Sequence, residues 1–98
     1  KNVEVGDTFA GYASKEENAE IEFYVTLPCD GNKATVGNGS MVSFCVNNPG
    51  LVDDFHKIAL QYGAVNEGDP GQRPFDGKIY YGYIRDLDGN KICAYSNL

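Results

Sequence analysis

The sequence predicts an α+β fold, rich in strands and carrying a single helix. Three observations lead there. Residues 80–95 (YYGYIRDLDGNKICAY) read as a β-hairpin: an aromatic strand, the turn-forming run Asp86-Leu87-Asp88-Gly89-Asn90, and an apolar-rich return strand. Residues 19–27 (AEIEFYVTL) alternate with the period of a strand, which sets Ile21, Phe23 and Val25 on one face and Glu22, Tyr24 and Thr26 on the other. Val52, Phe55, Ile58, Ala59 and Tyr62 recur at helical spacing and form one apolar stripe.

The remaining elements follow in chain order. Asn2-Val3-Glu4-Val5 alternates and predicts a short strand, closed by a turn at Gly6-Asp7. Residues 8–14, with Phe9 and Tyr12, suit a second strand, and 15–18 form a polar loop. Residues 28–39 are rich in Gly, Asn and Pro and read as a linker, and 41–46 as a strand. Asn48 is placed to cap the helix, with Pro49 at its first position. Asp53 and Asp54 fall in its early turns, where the dipole favours anions, and Gly63 supplies a stop. Residues 64–67 predict a short strand and 68–77 a long polar loop with two prolines, before the final hairpin.

Bulk properties narrow the function. Ninety-eight residues suffice for one domain with a modest core. A net charge of −6 without any basic cluster argues against nucleic acid or an anionic membrane as partner. No apolar run is long enough to span a bilayer and no secretory signal is visible. Cys29, Cys45 and Cys93 are odd in number and widely spaced, which suggests free thiols in a reducing cytoplasm.

The second half thus runs strand, helix, three strands, and the first half shows three strands. A register match links them. Ala10-Gly11-Tyr12 precedes Ile21-Glu22 by the same offset as Tyr81-Gly82-Tyr83 precedes Ile92-Cys93, which sets Glu22 on Cys93. The closing hairpin, with Phe55-His56, Ala59-Leu60 and the run Gly68-Asp69-Pro70-Gly71-Gln72-Arg73-Pro74, resembles the vicinal oxygen chelate superfamily of glyoxalases, bleomycin-resistance proteins and extradiol dioxygenases. That resemblance implies paired βαβββ modules enclosing a cleft. It covers most of 39–98 and is looser before. Residues 1–98 are then expected to form a single domain: 1–28 a remnant of the first module lacking its opening strand and helix, 29–39 a linker, and 40–98 the second module.

In metal-using members of that superfamily, His and Glu from the first and last strands of each module hold a divalent cation. Position by position, the resemblance sets the second ligand on Glu22, the third on Met41 and the fourth on Cys93, with no counterpart for the first. A thioether and a thiol are soft donors and poor substitutes for His and Glu toward Fe, Mn or Mg. No cofactor is therefore expected, and Glu22 is the one plausible metal ligand; otherwise it is a carboxylate on a solvated strand face. Cys93 as a nucleophile would need a base, and His56, the chain's single histidine, reads as a surface or semi-buried helix residue. Arg73 suits a bidentate contact with an anion, or anchors its loop through carbonyls. Tyr81 and Tyr83 share one strand face, with Tyr80 on the other; such tyrosines suit either a pocket or ordinary sheet packing. No catalytic residue is assigned. The candidate ligand-binding set is Glu22, Tyr24, Met41, Arg73, Tyr81, Tyr83 and Cys93.

The leading expectation is a small-molecule-binding protein of the glyoxalase and bleomycin-resistance type without the usual metal. One alternative is a metal-dependent lyase or dioxygenase completed by a further N-terminal segment or a second subunit. Another is a protein–protein module. In the module the resemblance implies, the first strand lies beside the fourth; its absence would leave residues 21–25 as an exposed apolar edge, from which a homodimer is expected.

Overall fold

The computed structural model describes residues 1–98 and is α+β, with seven strands and one helix. It divides into two compact units, Lys1–Ala34 and Thr35–Leu98. In the first, β1 (Asn2–Val5), β2 (Phe9–Tyr12) and β3 (Phe23–Thr26) form an antiparallel sheet in the order β1-β2-β3. In the second, β4 (Met41–Cys45) leads into α1 (Pro49–Gln61), followed by β5 (Val65–Gln72), β6 (Ile79–Arg85) and β7 (Lys91–Asn97). This is the expected βαβββ order. The sheet order is β4-β7-β6-β5, with β4 parallel to β7 and the other pairs antiparallel.

Helix α1 starts and stops where its sequence dictates. The Asn48 side chain accepts a hydrogen bond from the Leu51 amide at 3.0 Å and Pro49 opens the helix. Gly63 leaves it at φ 101°, a conformation glycine adopts without a Cβ penalty. Asp53 and Asp54 fall in the second turn, and Asp53 accepts the Tyr80 hydroxyl at 2.6 Å, which ties the helix to β6. The buried side is narrower than the apolar stripe. Val52 and His56 are buried and Phe55 and Ala59 half-buried, whereas Ile58 and Tyr62 are 51% and 79% exposed. At about 100° per residue, Ile58 lies roughly 120° around the axis from Val52, beyond the sheet-facing side.

The proline- and glycine-rich stretch after the helix is largely strand. β5 runs through Gln72, where a loop from 68 is expected on composition. Its register against β6 shifts twice, between Asn66 and Gly68 and between Gly68 and Gly71. These irregularities absorb residues that a regular ladder rejects. β5 is also an edge strand, where Pro70 costs no ladder partner. The final hairpin closes as expected. Asp86 accepts the Asp88 and Asn90 amides at 3.0 and 2.8 Å, and Gly89 takes φ 90°.

The pleat of β6 and β7 divides the second unit's sheet into two faces. Toward α1 point Ile84, Ala94 and Ser96, all buried, with Gly82 between the tyrosines. A Cβ at Gly82 would lie 3.1 Å from Val52 Cγ1 and 3.5 Å from Pro70 Cγ, so glycine there lets the helix approach. The internal register match is one residue out. Tyr83 pairs with Cys93, but Tyr12 pairs with Phe23, and the Glu22 amide reaches the Tyr12 carbonyl at 3.1 Å from outside β3. β3 is correspondingly shorter than the alternation at 19–27 implies.

Gly82→Val is expected to cost about 1–3 kcal/mol through overpacking against α1. Gly71→Ala, with nothing within 4 Å of the added carbon, is expected to stay within about 0.5 kcal/mol of the parent. Chemical denaturation of both variants checks this contrast.

Candidate functional site

The face of the second unit's sheet turned away from α1 gathers most of the predicted site residues. Tyr81, Tyr83, Cys93 and Tyr95 share it through the β6–β7 register, and Met41, Ser43 and Cys45 join through the parallel β4–β7 register. Tyr81 and Tyr83 stack with centroids 5.7 Å apart and planes inclined by 12°. Tyr95 lies 5.9 Å from Tyr81 at 36°. The three half-buried rings form a continuous aromatic platform. Gly68 makes room for it: a Cβ there would meet Tyr83 Cδ2 at 2.9 Å.

Cys93 is fully buried beside this platform. Burial pushes its thiol above the ordinary range. The hydrogen bond with Ser43, the nearby Arg73 and Lys91 cations and the Gly82 backbone act in the opposite sense but do not outweigh it. The thiol donates to the Ala94 carbonyl at 3.4 Å. Burial likewise raises the Tyr83 phenol, and the hydrogen bond with Cys45 raises Tyr95. All three cysteines are free, with Cys29 and Cys45 exposed.

No Cys93–His56 pair forms. His56 is buried on the helix side of the sheet rather than exposed or semi-buried. Its Nε2 lies 2.9 Å from Asn66 Oδ1, which also accepts the Gly68 amide. Asn66 in turn donates to Asp69 at 2.7 Å. An amide oxygen can only accept, so the imidazole donates through Nε2 and fastens α1 to β5. Its hydrogen-bonded surroundings make it structural.

Arg73 anchors the backbone. Its guanidinium donates to the carbonyls of Tyr81 at 2.8 Å, Asp69 at 2.5 Å and Gly71 at 3.4 Å. It also lies 5.0 Å from the Tyr83 ring centroid. Of the two readings open to it, the loop anchor is the one its contacts describe. Lys91, which sequence reasoning missed, sits on the same face with Nζ 5.0 Å from the Tyr83 centroid. Its alternation with Cys93 and Tyr95 was the available signal.

Glu22 and Tyr24 belong to the first unit. Glu22 is exposed just before β3. Tyr24 is 53% exposed and contacts Phe9 with centroids 6.1 Å apart. A hollow of about 650 Å³ in that unit, bordered by Thr26, Leu27, Pro28, Cys29 and Lys33, includes none of the candidate residues. The donors that the resemblance assigns to a divalent metal do not fit one. Met41 offers a thioether and Cys93 a buried thiol, both soft donors. No three His, Cys, Asp or Glu side chains converge.

Comparison with solved structures finds a glyoxalase/bleomycin resistance protein from Albidiferax ferrireducens T118. The similarity covers 96% of this chain and 73% of that one, with a TM-score of 0.79 and 36% sequence identity. No family model matches the chain, and no curated protein does.

The raised Cys93 pKa sets an alkaline limit on stability. Below the ordinary thiol range both folded and unfolded chains hold the proton and the contribution is intact. Above about pH 8.5 the unfolded chain releases its proton first, so stability falls as pH rises toward the folded pKa. Cys93→Ala is expected to flatten this decline in denaturation curves collected across that range. In the native protein at neutral pH, iodoacetamide is expected to modify Cys29 and Cys45 well before Cys93, as read by mass spectrometry.

Proposed function

The chain belongs to the glyoxalase/bleomycin resistance protein family of the vicinal oxygen chelate superfamily, and on that premise we propose that it binds a small organic molecule on the tyrosine platform of its second module without a family-type metal. The observation that carries this reading is the stacked Tyr81–Tyr83 pair extended by Tyr95. Aromatic side chains with two rotatable bonds provide large, rigid contact area at little entropic cost. The fixed surroundings of Tyr83, between the anchored Arg73 and the glycine at 68, keep the platform in place before a ligand arrives.

The donor chemistry supports binding over metal-dependent lyase or dioxygenase turnover. Such reactions use a hard Lewis acid with open positions for substrate oxygens. Met41 and the buried Cys93, a thioether and a thiol, are soft donors that do not supply that environment. A homodimer is part of the proposal. β3 is an edge strand with Val25 55% exposed, and it is followed by Leu27 at 63%. An apolar edge of this kind favours pairing with a second copy.

Two measurements test the reading. In an aromatic fragment screen by ligand-observed NMR, hits are expected to persist in EDTA and to weaken about fivefold with Tyr83→Ala, equivalent to loss of roughly 1 kcal/mol of ring contact. Binding that vanishes in EDTA and returns with a divalent cation would overturn it. Light scattering is expected to show a dimer, weakened by Val25→Lys; a monomer at high concentration removes that part.

A further inference from the structure

Charge on the tyrosine face is distributed against the character of the whole chain. The protein carries a net charge of −6, yet this face presents Arg73, Arg85 and Lys91 around three tyrosines. Arg85 is neutralised: it pairs with Glu67 at 3.3 Å, the chain's single ion pair, and also donates to the Gly89 carbonyl at 3.1 Å. Arg73 keeps its charge but is fixed to the backbone by three hydrogen bonds from its two terminal nitrogens to carbonyls. Asp69, four residues before Arg73, turns its carboxylate to Asn66, and neither it nor Asp76, three residues after, forms an ion pair with Arg73. Lys91 is different. Its ammonium meets the Tyr83 ring and has no carboxylate partner.

We infer that the ligand of this platform is a flat aromatic anion, its ring on Tyr81, Tyr83 and Tyr95 and its carboxylate or similar oxyanion on Lys91. The inference rests on the small-molecule reading above and adds the ligand's charge and the residue that reads it. Two positive charges without a carboxylate partner, beside half-buried rings, create a potential that an anion relieves and a cation opposes. An ammonium on a four-carbon stem can swing from the ring to an arriving oxyanion while keeping the aromatic contact. Arg73, held by the backbone, contributes field rather than contact. The buried Cys93 thiol stays protonated and so leaves this positive potential uncompensated.

The test uses three probes of matched shape: 2-naphthoate, its neutral analogue 2-naphthamide, and the non-aromatic anion cyclohexanecarboxylate. Affinity is measured by calorimetry, and tyrosine ring signals are followed by NMR. The naphthoate is expected to bind about tenfold tighter than the amide, the scale of one charge-assisted hydrogen bond, and tighter than the cyclohexane acid. Lys91→Met is expected to erase the preference over the amide, and Lys91→Arg to retain it. Equal or tighter binding of the amide, or a preference that survives Lys91→Met, overturns this inference while leaving the platform as a binding site. Absence of any tyrosine shift with both naphthyl probes overturns the platform itself.

Discussion

Strand β7 is the constraint on which the second unit depends. It lies between β4 and β6 and pairs with both along nearly its whole length. A strand with neighbours on both sides has no freedom to slip, because a one-residue shift would turn every side chain to the other face. Its alternation therefore decides the character of both surfaces. Ala94 and Ser96, small and buried, allow α1 to approach, helped by Gly82 on the neighbouring strand. Lys91, Cys93 and Tyr95 are sent the other way and join Tyr81 and Tyr83. The aromatic platform and the helix contact are two outcomes of one register.

What could be read from the sequence follows the range of the interactions. The final hairpin is encoded locally, by an Asp whose carboxylate bonds the turn amides and a Gly at positive φ, and it appears as expected. The helix ends are equally local. The βαβββ order and the glyoxalase-like fold were legible because hairpin, helix and loop motifs occur together. The start of β5 was legible, but its continuation from Gly68 to Gln72 was not, since Pro70 and the glycines signal loop by composition, and only pairing with β6 makes the stretch a strand. The helix stripe was overdrawn because spacing alone does not tell where the sheet ends. The link between Glu22 and Cys93 failed by one residue, a shift that a short motif match cannot detect when the intervening loops differ in path.

The candidate site divides along similar lines. Tyr81 and Tyr83 were placed on one face by simple alternation, whereas Cys93 joins them through the β6–β7 register and Met41 through the parallel pairing of β4 with β7. Arg73 was legible as either an anion contact or a loop anchor, and its three carbonyl partners, set by how the irregular β5 folds back, make it the anchor. His56 read as a surface or semi-buried helix residue and is a buried donor, because Asn66 supplies the acceptor that makes burying an imidazole tolerable. Lys91 was overlooked because a lysine beside a turn usually belongs to solvent.

Cys93 connects the metal question to the electrostatics. Where the family resemblance implies a carboxylate, this chain has a thiol whose burial keeps it neutral. A carboxylate there would offset the charge of Arg73 and Lys91 as well as ligate a cation. Replacing it with a neutral sulfur removes both roles at once. The tyrosines then line a surface whose remaining fixed charge is positive, on a protein that is otherwise acidic. A divalent cation entering that surface would meet two like charges and soft donors, whereas an oxyanion would meet the reverse. On the proposed reading, the neutral sulfur that makes this position a poor hard-metal ligand is also what leaves the platform suited to an anion.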